Sequence, residues 1–233
     1  FGNFGATQDN NAGNNLDTLF SAPNPDTANA DGTIAKLTLN WTPTDSSLYY
    51  FTYSEGFRPG LLNRPGGRSN PAGTYTVPFA IDTDDLTNFE VGLKTDLLDN
   101  TLRFNASLFF SEIERLQTGI FDASIVNLFF SDNAADGEIT GVEGDFTYYA
   151  DKEGLTVSGA FSVLDTEITK KLVPTNDVIV GTEMAFAPGF QANLRVRQEW
   201  EMADGYTGHV QLQVTHSGDS YSDVMEPNKA VQD

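Results

Sequence analysis

Arg58, Asn63, Arg64 and Arg68 open a stretch, residues 58–86, that also carries Pro59, Pro65, Gly66, Gly67, Pro71 and Gly73. Three guanidinium groups within eleven residues of an acidic chain could grip an anion, such as a carboxylate or an iron chelate, through paired N–H donors. The same groups could instead pair with neighbouring acids or with phosphates at a membrane rim, and both readings stay open. Phe121, Phe129 and Phe130 fall in a second expected loop, 117–136, where aromatic rings either touch a ligand or pack the loop onto its neighbours. Asp82, Asp84 and Asp85, and again Asp132, Asp136 and Glu138, are acids that could collect Ca2+ in exposed loops, against a default of simple solvation. Residues 132–143 place acids at positions 1, 5 and 12 of a calcium loop with Gly137 at position 6. Ala134 at position 3 removes a ligand, however, so an EF-hand is not expected.

Bond-making chemistry has little to work with. The chain has no Cys and two His, His209 and His216, and it lacks both a Gly-x-Ser-x-Gly elbow and a His-x-x-x-His pair. No catalytic residues are expected, and the protein is not expected to be an enzyme. With 33 Asp and Glu against 13 Lys and Arg, a net charge of −20 argues against a nucleic-acid partner. Seventeen Phe, eight Tyr and two Trp make the chain too rich in large apolar groups for a solvated acidic tail. No apolar run is long enough for a membrane-spanning helix. The chain starts at Phe1 with no readable leader, which suggests a processed chain or a fragment.

The elements that must carry these residues read as strands. Leu102, Phe104, Ala106, Leu108 and Phe110 alternate with Arg103, Asn105, Ser107, Phe109 and Ser111, a period of two over ten residues. The same alternation predicts about eight strands, at 33–41, 47–57, 87–97, 101–115, 138–149, 155–168, 189–201 and 206–216. Short links such as Leu98-Asp99-Asn100 alternate with long ones, the pattern of an up-and-down barrel whose one rim carries tight turns. Trp41, Tyr49, Tyr148, Tyr149, Trp200 and Tyr206 all lie beside short links, as an interfacial girdle would, although aromatics also cap ordinary β-cores. Lys94, Asp96, Arg103, Glu143, Asp145, Arg195, Arg197, Glu199 and His209 make the other face too charged for a soluble core and suited to a hydrated lumen. The expected fold is all-β: an antiparallel transmembrane barrel segment with short periplasmic turns and long extracellular loops.

Three segments then resemble a known family. Tyr49-Tyr50-Phe51-Thr52-Tyr53-Ser54-Glu55-Gly56-Phe57-Arg58-Pro59-Gly60 looks like the mid-barrel strand-to-loop segment of TonB-dependent outer-membrane receptors. Asn88-Phe89-Glu90-Val91-Gly92-Leu93-Lys94-Thr95-Asp96-Leu97-Leu98, followed by residues 102–117, is similar to that family's central hairpin. Residues 133–146, with Gly141-Val142-Glu143-Gly144, resemble its next descending strand. The resemblance covers about 100 residues in order and points to the C-terminal half of the barrel; residues 1–31 carry no motif that can be placed.

The resemblance implies a barrel of about 22 strands, plugged by an N-terminal domain, in the outer membrane of a Gram-negative bacterium. It also implies import of a scarce ligand, siderophore-bound iron, a vitamin or a saccharide, with energy relayed by the TonB complex. Its partners would be that ligand, outer-membrane lipid and lipopolysaccharide, and TonB through parts not present in residues 1–233. The chain is accordingly expected to be a partial barrel domain, lacking plug and final strands, with both ends on the long-loop side. Two other readings remain: a passive outer-membrane porin, and a secreted soluble β-sandwich that binds carbohydrate or a surface.

Overall fold

The alternation of apolar and polar residues becomes a long two-faced sheet. The structure, a computed structural model, describes residues 2–9, 27–63, 66–121, 125, 129–150, 154–174, 178–225 and 229–232. Strands β1 (Gly2–Asp9) and β2 (Thr27–Ile34) pair in a separate two-stranded sheet. Then come β3 (Lys36–Thr44), β4 (Ser47–Arg58), β5 (Asp84–Leu97), β6 (Leu102–Phe121), β7 (Phe129–Tyr149), β8 (Leu155–Lys171), β9 (Phe190–Glu201) and β10 (Thr207–Ser217). These form one eight-stranded antiparallel sheet in which sequence neighbours are spatial neighbours, with β3 and β10 at its edges. Short strands β11 (Ser220–Tyr221) and β12 (Val231–Gln232) pair separately.

Register puts one side of every strand on one face. Leu39, Phe51, Val91, Leu108, Val142 and Val163 form a continuous cross-strand row. Leu194 and Val214 belong to the same face at the other edge. This apolar face is open: Leu39 is 59 %, Leu108 49 % and Leu212 68 % exposed. Among the described residues no second sheet covers it, unlike the paired faces of a sandwich. Lys94, Asn105, Asp145 and Ala160 share the opposite row, and Arg195, Arg197, Glu199 and His209 continue it. Every residue expected to line the lumen lies on this polar face. The apolar span from Leu102 to Phe110 covers about 26 Å along the strand at ~3.3 Å per residue, which matches a thin apolar layer crossed at a tilt.

Space across strand pairs is filled in a repeating way. An aromatic ring lies over the cross-strand glycine for Tyr50 on Gly92, Phe109 on Gly141, Phe161 on Gly144 and Phe146 on Gly159. A Cβ on Gly141 would stand 2.3 Å from the Phe109 ring. Such pairs hold register, because a slip of one residue would drive the ring into a side chain.

At the tight-turn end, Leu98, Asp99 and Asn100 all take left-handed backbone angles, φ 52°, 56° and 68°. Gly154 closes the β7–β8 turn at φ 77°, and a Cβ there would meet the Glu199 carbonyl at 2.1 Å. Trp41 and Tyr49 pack at 5.4 Å on the apolar face at this rim, and Trp200 and Tyr206, beside the β9–β10 turn, are exposed. Tyr149, expected in the same girdle, instead pairs with Thr156 on the polar face, because strand alternation separates it from Tyr148.

The other end differs from expectation. β6 was expected to stop near 115 and β7 to start near 138, yet the hairpin continues to Phe121 and Phe129. Arg115, at φ 56°, sits where the register breaks between Ile113 and Leu116, so the alternation changes phase and its signal is lost. Residues 132–143 consequently lie in extended strand, which rules out a calcium loop there, and the expected loop 117–136 shrinks to the hairpin tip. The buried core also sits at this end. Val77, Ile120, Phe130, Ile168, Val178, Met184 and Met225 pack together, joining the 59–83 link to segments 172–189 and 218–225. Above Phe110 the formerly apolar face turns acidic: Glu112, Glu138 and Glu167 are cross-strand neighbours. Such a row of like charges is tolerated only in water, and it marks the upper edge of the apolar band.

Candidate functional site

Two regions could meet a ligand: the long-loop rim and the polar face below it. At the rim, Arg58 ends β4 and its guanidinium lies against Asp84, the first residue of β5, with Nε to Oδ2 at 2.9 Å. Its Nη2 also donates to the Gln117 carbonyl at 2.8 Å. Asp84 is 7 % exposed, so this is a charge pair with one member taken out of water, and its carboxylate also accepts from the Gln117 N–H. Arg115 reaches Asp85 and the Thr83 carbonyl, and its N–H donates to Asp136 at 2.8 Å. Lys170 pairs with Asp136 at 3.2 Å.

Side-chain amides do the remaining joining. Asn63 donates to the Pro78 and Ser131 carbonyls and accepts the Ser131 N–H. Asn133 accepts the Asp82 N–H at 2.7 Å and donates to the carbonyls of Asp82 and Arg115. The two N–H groups of the Gln117 amide are shared among the carbonyls of Arg58, Pro59 and Asp82.

The sequence-derived ligand contacts therefore separate. Arg58 and Asn63 are both bound to other parts of the rim. Arg68 lies exposed in the link, its carbonyl accepting from Val77, while Arg64 falls outside the described residues. Phe121 and Phe129 face each other at 5.1 Å near the hairpin tip, with Phe129 72 % exposed, whereas Phe130 is buried against Tyr75. The candidate calcium ligands do not converge: among the described residues no three acid or imidazole groups gather. Asp84 and Asp85 face arginines, Asp132 accepts from the Tyr75 hydroxyl, and Asp136 faces Lys170. Asp82 is joined through its backbone to Asn133. Gln117, Asn133 and Arg115 were missed from sequence, because a lone amide or arginine in a strand carries no signal until its cross-strand neighbours are known.

Below the rim, the polar face forms an open trough of about 640 Å³ lined by Lys94, Asn105, Ser107, Glu143, Asp145 and Asn193 among others. Its polar groups engage one another lightly, with Asn105 to Asp145 at 3.0 Å and Ser107 to Glu143 at 3.3 Å. Arg195 reaches Ser158 at 3.2 Å, and Arg197 reaches Glu199 at 2.8 Å. Charges of both signs interspersed with hydroxyls and amides suit water or a polar surface, and no catalytic arrangement of nucleophile and base is present among the described residues.

Comparison with known proteins agrees with this geometry. Residues 3–230 match the family model described as TonB dependent receptor-like, beta-barrel. A probable TonB-dependent siderophore receptor, PiuA of Acinetobacter baumannii, is 28 % identical over 142 residues, covering 61 % of this chain and 18 % of its own length. Among solved structures, the ferric yersiniabactin uptake receptor FyuA from Yersinia pestis aligns with TM-score 0.64 at 18 % identity, over 88 % of this chain and 29 % of that one. BauA, the ferric preacinetobactin receptor from Acinetobacter baumannii, aligns with TM-score 0.61 at 22 % identity, over 91 % and 30 %. The chain thus spans less than a third of each of these relatives.

Proposed function

The chain belongs to the TonB-dependent receptor β-barrel family, and from that premise we propose that it builds part of the wall and outer vestibule of a receptor importing an iron-siderophore complex with TonB-supplied energy. Proteins of this family reside in the outer membrane of Gram-negative bacteria and act as transport receptors. The observation that carries the reading is the division of one sheet into an open apolar face and a charged trough, the arrangement of a membrane barrel wall around a hydrated lumen. The ligand class is supported by the names of its relatives, a siderophore receptor and two ferric-siderophore receptors.

In this reading the apolar face meets lipid, the acidic row above it meets lipopolysaccharide, and plug, TonB contact and the remaining strands come from the rest of the receptor. Arg68, Phe121 and Phe129 are the rim residues offered to ligand, with Arg64 as a further candidate outside the described residues. Arg58, Asn63 and Phe130 act through the loop they hold.

The test is uptake of radioactive iron under iron limitation, supplied as a panel of purified ferric siderophores, in cells with the receptor gene intact, deleted, or intact without TonB. At least one chelate should enter only when both receptor and TonB are present. Uptake that persists without TonB would mark a passive pore, and a vitamin or saccharide as the only TonB-dependent cargo would replace the ligand class.

A further inference from the structure

The link between β4 and β5, described over residues 59–63 and 66–83, is long enough to swing as a lid, yet it is tied down near both of its ends. Its own backbone forms a ladder, with Asn63 N–H to Phe79 at 2.8 Å, Ile81 N–H to Leu61 at 2.9 Å and Val77 N–H to Arg68 at 2.8 Å. Three side-chain amides then fasten it to the β6–β7 hairpin. Gln117, 7 % exposed, donates to the carbonyls of Arg58 and Pro59 at the start of the link, at 3.1 and 3.0 Å. It also donates to Asp82 at the end of the link, at 2.9 Å. Asn133 takes both the N–H and the carbonyl of Asp82, at 2.7 and 2.9 Å. Asn63 reaches across to both backbone groups of Ser131, at 2.7 and 2.9 Å. Val77 and Ile81, 0 % and 4 % exposed, anchor the underside.

We propose that Gln117 and Asn133 are positioning residues that hold residues 59–83 as a fixed wall of the outer vestibule, so that any closure over ligand is made by other segments. An amide side chain offers the donor and acceptor pattern of a peptide group, so it can substitute for a missing strand in pairing the backbone of Arg58, Pro59 and Asp82 at the partly covered ends of the link. Replacing it hands those carbonyls to water and removes the tie between link and hairpin, which favours opening of the link. The claim is independent of which ligand the receptor carries.

Hydrogen–deuterium exchange on the full-length receptor in detergent tests it, with heat-modifiable migration on gels as the check that the barrel is folded. In the unaltered receptor the amides of Asn63, Gly67, Val77 and Ile81 should be protected to a degree comparable with strand amides. Gln117→Ala and Asn133→Ala should each raise their exchange at least tenfold while amides in 166–171 stay unchanged. Gln117→Glu, which keeps shape but removes the N–H donors, should act as strongly as Gln117→Ala, an outcome that mere space filling would not give. Free exchange of these amides in the unaltered receptor overturns the proposal, and so does unchanged protection in folded variants. Should the Gln117 variants fail to fold, the unaltered receptor and Asn133→Ala decide the question.

Discussion

At the scale of single residues, the charges that looked like ligand grips on sequence turn out to differ by burial. Arg58 faces a carboxylate that is almost wholly enclosed, while Arg103 faces Asp96 at 2.9 Å on the open polar face. Removing a buried acceptor leaves its donors unmatched, whereas an exposed pair trades its partner for water. Asp84→Ala should therefore lower receptor stability by about 2 kcal/mol in denaturant unfolding, and Asp96→Ala should leave the unfolding midpoint unchanged. Arg58 and Asp84 were both singled out by type and spacing, but their mutual pairing was only one of two open readings. Sequence separation of 26 residues hid a cross-strand neighbour that register makes inevitable.

Among elements, register determines which substitutions matter. Val142 and Glu143 are adjacent in β7, yet one faces the apolar side and the other the trough. Val142→Arg should cost about 2–4 kcal/mol at mid-layer, while Ser162→Arg on the trough side should fold normally; heat-modifiable migration and denaturant titration of the full-length receptor distinguish the two. Gly154→Ala is the corresponding test of a turn. Its positive φ and the Glu199 carbonyl at 2.1 Å leave no room for a Cβ, so a loss of about 1–3 kcal/mol is expected in the same titration. All eight strands of the main sheet were legible from alternation because each has one apolar and one polar side. The outer ends of β6 and β7 were not, because the bulge at Arg115 moves the apolar residues to the other parity just where the loops begin to cover them.

For the molecule as a whole, the accessible surface is 14316 Å², against about 10,300 Å² expected for a globular monomer of this mass. The main sheet contributes to that excess, since among the described residues its apolar face has no protein over it. Residues 1–233 expressed alone without detergent should aggregate, whereas the full-length receptor should fractionate with the outer membrane and need detergent to leave it. A monodisperse 233-residue product in plain buffer would contradict the barrel wall. The sequence by itself determined the strands and the two-faced sheet, because these depend on residue type at a period of two, and three motif segments carried the resemblance to the family that residues 3–230 match. Tertiary structure alone decided that the 59–83 link is fastened and that the acids are spread among different partners, because those outcomes depend on which distant residues the register and the bulge bring side by side.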